Sequence, residues 1–148
     1  MNLVVLFFRL GPYHVARLDA VGREASLTAL ELSGQATEYA WDPVETPSTF
    51  ERVTVFPDRS HRDVPLQDLR DAISMALAEA NPDAVVLPGW DDPGTLAALQ
   101  WCRHHDVPRV VMSASSALDA PRSWWREAVK RRVVMSYDAG LVGGEDRK

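Results

Sequence analysis

The run Leu3-Val4-Val5-Leu6-Phe7-Phe8 constrains this chain more than any other stretch. Its apolar residues do not alternate with polar ones, so a strand here would have to be covered on both faces, as in a parallel sheet between layers of helix. The residues after the run support a strand over a buried helix. Gly11 reaches backbone angles closed to other residues, and Pro12, with its fixed φ and missing N–H, suits the first position of a helix. The order is therefore strand, tight loop and helix N-terminus, and in open α/β sheets ligands bind beyond the carboxyl ends of the strands. Tyr13, His14 and Arg17 stand at that edge, where they either contact a ligand or merely cap and cover the first turn.

The same alternation continues along the chain. The first helix runs to about Gly22 or Glu24, with Val15, Leu18 and Val21 inward; strands are expected over Ser26 to Ser33 and Glu51 to Phe56, with turn-rich sequence from Tyr39 to Pro47 between them. Asp58 to Asp63 reads as an exposed loop. Pro65 opens a helix with Leu66, Leu69, Ile73, Leu77 and Ala80 on one face, and Asn81-Pro82 ends it. Ala84 to Leu87 is a further strand, Gly94 to His105 a helix, Arg109 to Met112 a strand and Ser113 to Asp119 its loop. Pro121 to about Met135 is a helix, and Gly140 to Val142 a last strand. This predicts an α/β, Rossmann-like doubly wound parallel sheet of about six strands with helices on both faces and strand 1 central. With 148 residues and no linker or repeat, residues 1–148 form a single domain.

Bulk properties narrow the function. A net charge of −5 gives no general attraction to nucleic acid, and no stretch is long enough to span a bilayer. The apolar start has neither a preceding positive charge nor a cleavage site, and the one cysteine, Cys102, fits a reducing compartment, so a cytoplasmic location is expected. Asp91-Asp92 has the carboxylates of a cation site but no third oxygen ligand at a defined spacing, and Asp92-Pro93 reads as an N-cap with its first turn. Cys102-Arg103-His104-His105 has metal-like composition without converging ligands, so these histidines are expected in solvent and no metal or cofactor is assigned. Arg122, Arg126 and Lys130 recur every four residues beside Trp124 and Trp125. This stripe suits a phosphate, an anionic lipid surface or an acidic partner, and equally a solvated face over a Trp-anchored core.

Several short strings, in order, carry a resemblance: Gly11-Pro12-Tyr13-His14-Val15-Ala16-Arg17; Val85 to Trp90; Val110 to Ser115; Asp119 with Arg122, Trp125, Glu127 and Lys130; and Asp138 to Gly144. Together they resemble the N-terminal domain of family 4 glycosyltransferases. The resemblance implies a GT-B fold, in which two Rossmann-like domains face each other, the first holding mainly the acceptor and the second the nucleotide-sugar. It also implies metal-independent transfer with retention. It places a sugar or glycan acceptor against Gly11, Tyr13, His14 and Arg17, against Gly89, Trp90 and Asp91, and against Ser113 and Ser115. His14 would be catalytic, as a hydrogen-bond donor or proton shuttle, Arg17 would hold an anionic group, and Trp90 would face a sugar ring. Where relatives tend to read Ser-Glu-Ser, this sequence has Ser113-Ala114-Ser115 and lacks that carboxylate. The chain ends at Lys148, just after Gly143-Gly144, where such enzymes continue into the donor domain, so an acceptor-side domain inactive alone is expected. The other reading is a non-catalytic Rossmann-like binding or scaffold module. A dinucleotide-binding domain fits less well, since no Gly-x-Gly-x-x-Gly follows the first strand.

Overall fold

The computed structural model describes residues 1–34, 49–113 and 124–142. Strands β1 (Asn2–Phe7), β2 (Ser26–Ser33), β3 (Glu51–Phe56), β4 (Ala84–Pro88), β5 (Arg109–Ser113) and β6 (Ala139–Val142) form one sheet in the order β3-β2-β1-β4-β5-β6. Every pairing is parallel, with Val5 opposite Ala29 on one side and Val86 on the other. Strand β1 is central, and the strand order reverses between β1 and β4. In open α/β sheets ligands bind at such a reversal, beyond the carboxyl ends of the strands.

Successive β1 residues point to opposite faces, and each face has its own core. Val4 and Leu6 join Leu30, Leu32, Val85 and Leu87 beneath helices α2 (Leu66–Ala80) and α3 (Pro93–His104), through Leu69, Ile73, Leu77, Ala98 and Cys102. Val5 and Phe7 join Leu27 and Ala29 beneath helix α1 (Pro12–Gly22), through Val15 and Leu18. Burial on both sides accounts for the unbroken apolar run at the start of the chain. Helix α4 (Trp124–Val134) adds Val133 to the first core.

Pro12 opens α1, and Asn81, in the left-handed region at φ 46°, caps the end of α2 before Pro82. Several local expectations are corrected. Val21 is exposed: α1 turns Val15 and Leu18 inward, and at its end Gly22, not Val21, lies against Thr49. Leu66 is exposed because it sits in the first turn of α2, where Val64 fills that end of the core and Pro65 is the N-cap. The polar run before α2 is not all loop. His61–Asp63 form a single 3₁₀ turn, and His61 is buried. Gly11 has φ −100°, an ordinary extended angle, so its place does not depend on the conformational range of glycine. The stretch 114–123, holding most of the expected loop after β5, lies outside the described residues, as does the turn-rich stretch 39–47.

Candidate functional site

The loop leaving β1 is held from beneath by a buried carboxylate. Glu31, near the end of β2 and 1% exposed, accepts the Leu10 N–H at 2.8 Å on Oε1. Its Oε2 accepts from Arg52 Nη2 at 2.8 Å, Arg52 Nε at 3.1 Å and the Thr54 hydroxyl at 3.0 Å. The parallel register sets Phe7, Glu31 and Thr54 side by side across three strands, which brings these groups together. Leu10 is thereby drawn into the core and Gly11 is left to start α1.

The Gly11 N–H then donates to His14 Nδ1 at 3.2 Å. A ring nitrogen that accepts cannot carry hydrogen, so this bond assigns the neutral tautomer with hydrogen on Nε2. Burial, and after it the Arg17 charge, lowers the His14 pKa from its ordinary 6.5, which reinforces the neutral form. The ring packs on Phe7 at 4.8 Å and edge-on to Tyr13 at 6.0 Å. Tyr13 is 66% exposed, and Arg17 both donates to its hydroxyl at 3.4 Å and lies 5.4 Å from its ring centre.

The second loop leaves β4, the strand next to β1. Gly89 has φ +71°, a region that disfavours a side chain, which turns the chain sharply after Pro88. Its N–H donates to the Met112 carbonyl at 3.1 Å and its carbonyl accepts from the Tyr137 hydroxyl at 3.0 Å. Burial, with the nearby Cys102, pushes the Tyr137 pKa up, so this phenol stays a donor. Trp90 is partly exposed, with Lys130 Nζ 5.9 Å from its ring centre, and Asp91 is exposed. Ser113 ends β5 beside Val142, and Ser115 lies outside the described residues. The fold therefore brings the loops bearing Gly11, Tyr13, His14, Arg17, Gly89, Trp90 and Asp91 to the carboxyl edge of neighbouring strands.

A polar chain that sequence reasoning missed lies under this edge. His61 Nδ1 meets Ser33 Oγ at 2.8 Å, and Nε2 meets the Asp92 carboxylate at 3.0 and 3.2 Å, while the His61 N–H donates back to Ser33 Oγ at 2.9 Å. Phe8 stacks on the His61 ring at 5.5 Å, and Asp92 also accepts from the Gly94 N–H at 2.8 Å as the expected N-cap of α3. Burial alone would raise the Asp92 carboxyl. The His61 hydrogen bond and charge, with the Gly94 and Thr95 N–H groups, outweigh it and hold the pKa below 3.8. Residue types Ser, His and Asp in a row suggest a nucleophile, but all three are buried and the Ser33 oxygen is already engaged. The chain is a brace tying β2, the 3₁₀ turn and α3. There is no room above it for a Cβ at Gly94, which would collide with Leu32 Cδ1. Apart from Asp92-Pro93, no spacing in the sequence announced it.

Among the described residues, no group of three or more histidine, cysteine or acidic side chains could hold a metal. Cys102 is fully buried and its thiol is pushed up to about 11, which leaves it unreactive, whereas His104 and His105 are exposed, the latter stacked on Trp101 at 4.4 Å. The expectation of a Trp-anchored core under the basic stripe is overturned: Trp124 is 83% exposed and Trp125 54%. Of the stripe, Lys130 reaches Trp90, while Arg122 and the Arg126 side chain lie outside the described residues.

No family model matches the sequence, and no curated protein matches it. Solved structures do share the fold over nearly the whole chain. UDP-N-acetylglucosamine 2-epimerase from Rickettsia bellii matches with a TM-score of 0.56 and 15% identity, covering 97% of this chain and 38% of that one. The Neisseria meningitidis UDP-GlcNAc 2-epimerase bound to UDP-GlcNAc gives 0.57 and 13%, covering 96% and 40%. The Bordetella bronchiseptica enzyme WbmH in complex with NAD+ gives 0.53 and 15%, covering 95% and 55%. The chain thus spans about two-fifths of the length of the epimerases. The likeness shows a shared Rossmann-like α/β fold and does not single out family 4 of the glycosyltransferases.

Proposed function

We propose that this domain is the acceptor-side half of a retaining glycosyltransferase, with the nucleotide-sugar donor held by a second domain. The observation that carries the reading is the reversal of strand order between β1 and β4, where the two loops leaving the strands offer a tautomer-fixed histidine and a tryptophan paired with a cation. The shared fold of enzymes named for UDP-GlcNAc adds support at the level of architecture alone.

Transfer breaks the bond from the anomeric carbon to the departing phosphate oxygen and forms a bond to an acceptor hydroxyl oxygen, whose proton passes to that departing phosphate oxygen. With Nδ1 occupied by the Gly11 N–H, His14 has no lone pair to take that proton and serves as a donor through Nε2. It is a hydrogen-bond donor to the acceptor or to a phosphate oxygen rather than a shuttle. Trp90 offers an apolar face to a sugar ring, and Lys130 and Arg17 supply positive charge near each loop.

The test is binding of the purified chain to a panel of glycans and nucleotide-sugars, with calorimetry and transfer assays. The expected result is weak glycan binding, lost in Trp90→Ala and weakened in His14→Phe with the fold intact, and no turnover by the chain alone. Positioning both reactants can supply roughly 7 to 11 kcal/mol of barrier lowering, and half a cleft cannot provide it. Micromolar nucleotide-sugar binding with turnover would overturn the assignment of sides. Absence of any sugar binding by a folded chain would leave a non-catalytic binding or scaffold module instead.

A further inference from the structure

We infer that helix α4 is a docking surface for an anionic lipid membrane. The 11 residues from Trp124 to Val134 include four basic side chains and one acidic, in a chain of net charge −5. Among the described residues of the helix, Val133 packs on the core and Lys130 Nζ lies 5.9 Å from the Trp90 ring centre. Several of its apolar side chains reach solvent, Trp124 being 83%, Trp125 54% and Val129 51% exposed, as is Met135 just after it at 74%.

Their spacing mixes them with the charges instead of segregating them. Trp125, Val129 and Arg132 stand at i, i+4 and i+7, and Trp124 and Arg131 at i and i+7, so each exposed stripe carries tryptophan and arginine together. Beside it, the groove between α3 and α4 adds Arg103 and His104 next to Arg132. Exposed tryptophan costs free energy in water and sits favourably among headgroups, while the arginines are drawn to anionic lipid. A basic helix with outward aromatics on an acidic domain complements a negatively charged bilayer surface. No helix of the described residues is long and apolar enough to cross a membrane. Lys130 of α4 lies 5.9 Å from the Trp90 ring centre, so docking through this helix brings the loop after β4 near the headgroups.

The inference does not depend on the sugar reading and is tested without sugars. The purified chain is mixed with phosphatidylcholine vesicles, with and without about one-third phosphatidylglycerol, and followed by co-sedimentation and tryptophan emission. Binding to the anionic vesicles alone is expected, with a blue shift. It should be abolished by salt raised from about 0.1 M to about 1 M, which shortens the screening length from about 10 Å to about 3 Å. Trp124→Ser with Trp125→Ser should remove the shift. Arg131→Gln with Arg132→Gln should weaken binding about thirtyfold, from about 1 kcal/mol per charge near the surface. Both variants change exposed side chains, and an unchanged thermal midpoint verifies the fold. No binding by the folded chain, or equal binding to neutral vesicles, would overturn the inference. So would a concentration-dependent dimer, abolished by the tryptophan variant and indifferent to lipid, which would reassign the helix to a protein partner.

Discussion

Asp92 shows how much one side chain can hold at the scale of the residue. It caps α3 and anchors the His61 ring, so Asp92→Ala removes the cap, worth about 1 kcal/mol, and leaves a buried N–H without its acceptor, at about 1 to 3 kcal/mol. Urea unfolding should record a loss of about 2 to 4 kcal/mol. The depressed Asp92 pKa also fixes a sign. Its contribution is complete above 3.8 and disappears as pH falls from there through the folded value, because the unfolded carboxyl takes up its proton first. For His14 the folded pKa is likewise lowered, but here the neutral form is the native one. Between that value and 6.5 the unfolded chain binds the proton and the native chain resists it, so stability declines as pH drops below 6.5. Urea midpoints measured across pH 7 to 5 should fall less steeply in His14→Gln than in the wild type.

Loops and strands are coupled at the next scale up. The β1–α1 loop owes its path to Glu31 on β2, which is fastened in turn by Arg52 and Thr54 of the edge strand β3, so two neighbouring strands hold the loop in place. In Glu31→Ala the Leu10 N–H loses its acceptor, and Arg52 its counter-charge. Hydrogen exchange at the Leu10 amide should accelerate more than in the strands, and the His14 tautomer signal in nitrogen NMR should broaden as the loop that presents Gly11 loosens. Glu31→Gln, which keeps an acceptor for Leu10, should restore most of the protection. In the middle of helix α2, by contrast, Leu69, Ile73 and Leu77 hold the helix by burial.

Across the whole molecule, Ile73 touches a core that spans β1, β2, β4, α2 and α3 and is 0% exposed. Ile73→Ala should cost about 2 to 5 kcal/mol and lower one unfolding transition seen alike by circular dichroism and by tryptophan emission. The continuous core of β1, the strands β2 and β3 to the residue, and the alternation of strand and helix were readable from sequence, because burial on both faces and helical periodicity are local patterns. The loops bearing His14 and Trp90 were readable too, since each directly follows a strand. What the sequence alone could not show was partnership between distant residues. His61 looked like one polar residue in an exposed run until the fold set it between Ser33 and Asp92, 28 and 31 residues away. Glu31 looked like a lone charge in a strand until parallel register put Thr54 beside it. The paired tryptophans of α4 looked like core, since large apolar side chains usually are, and only the packing of Val133 decided which side of that helix faces inward. Periodicity along a chain determines which residues share a face; the register and crossing of strands determine what that face meets.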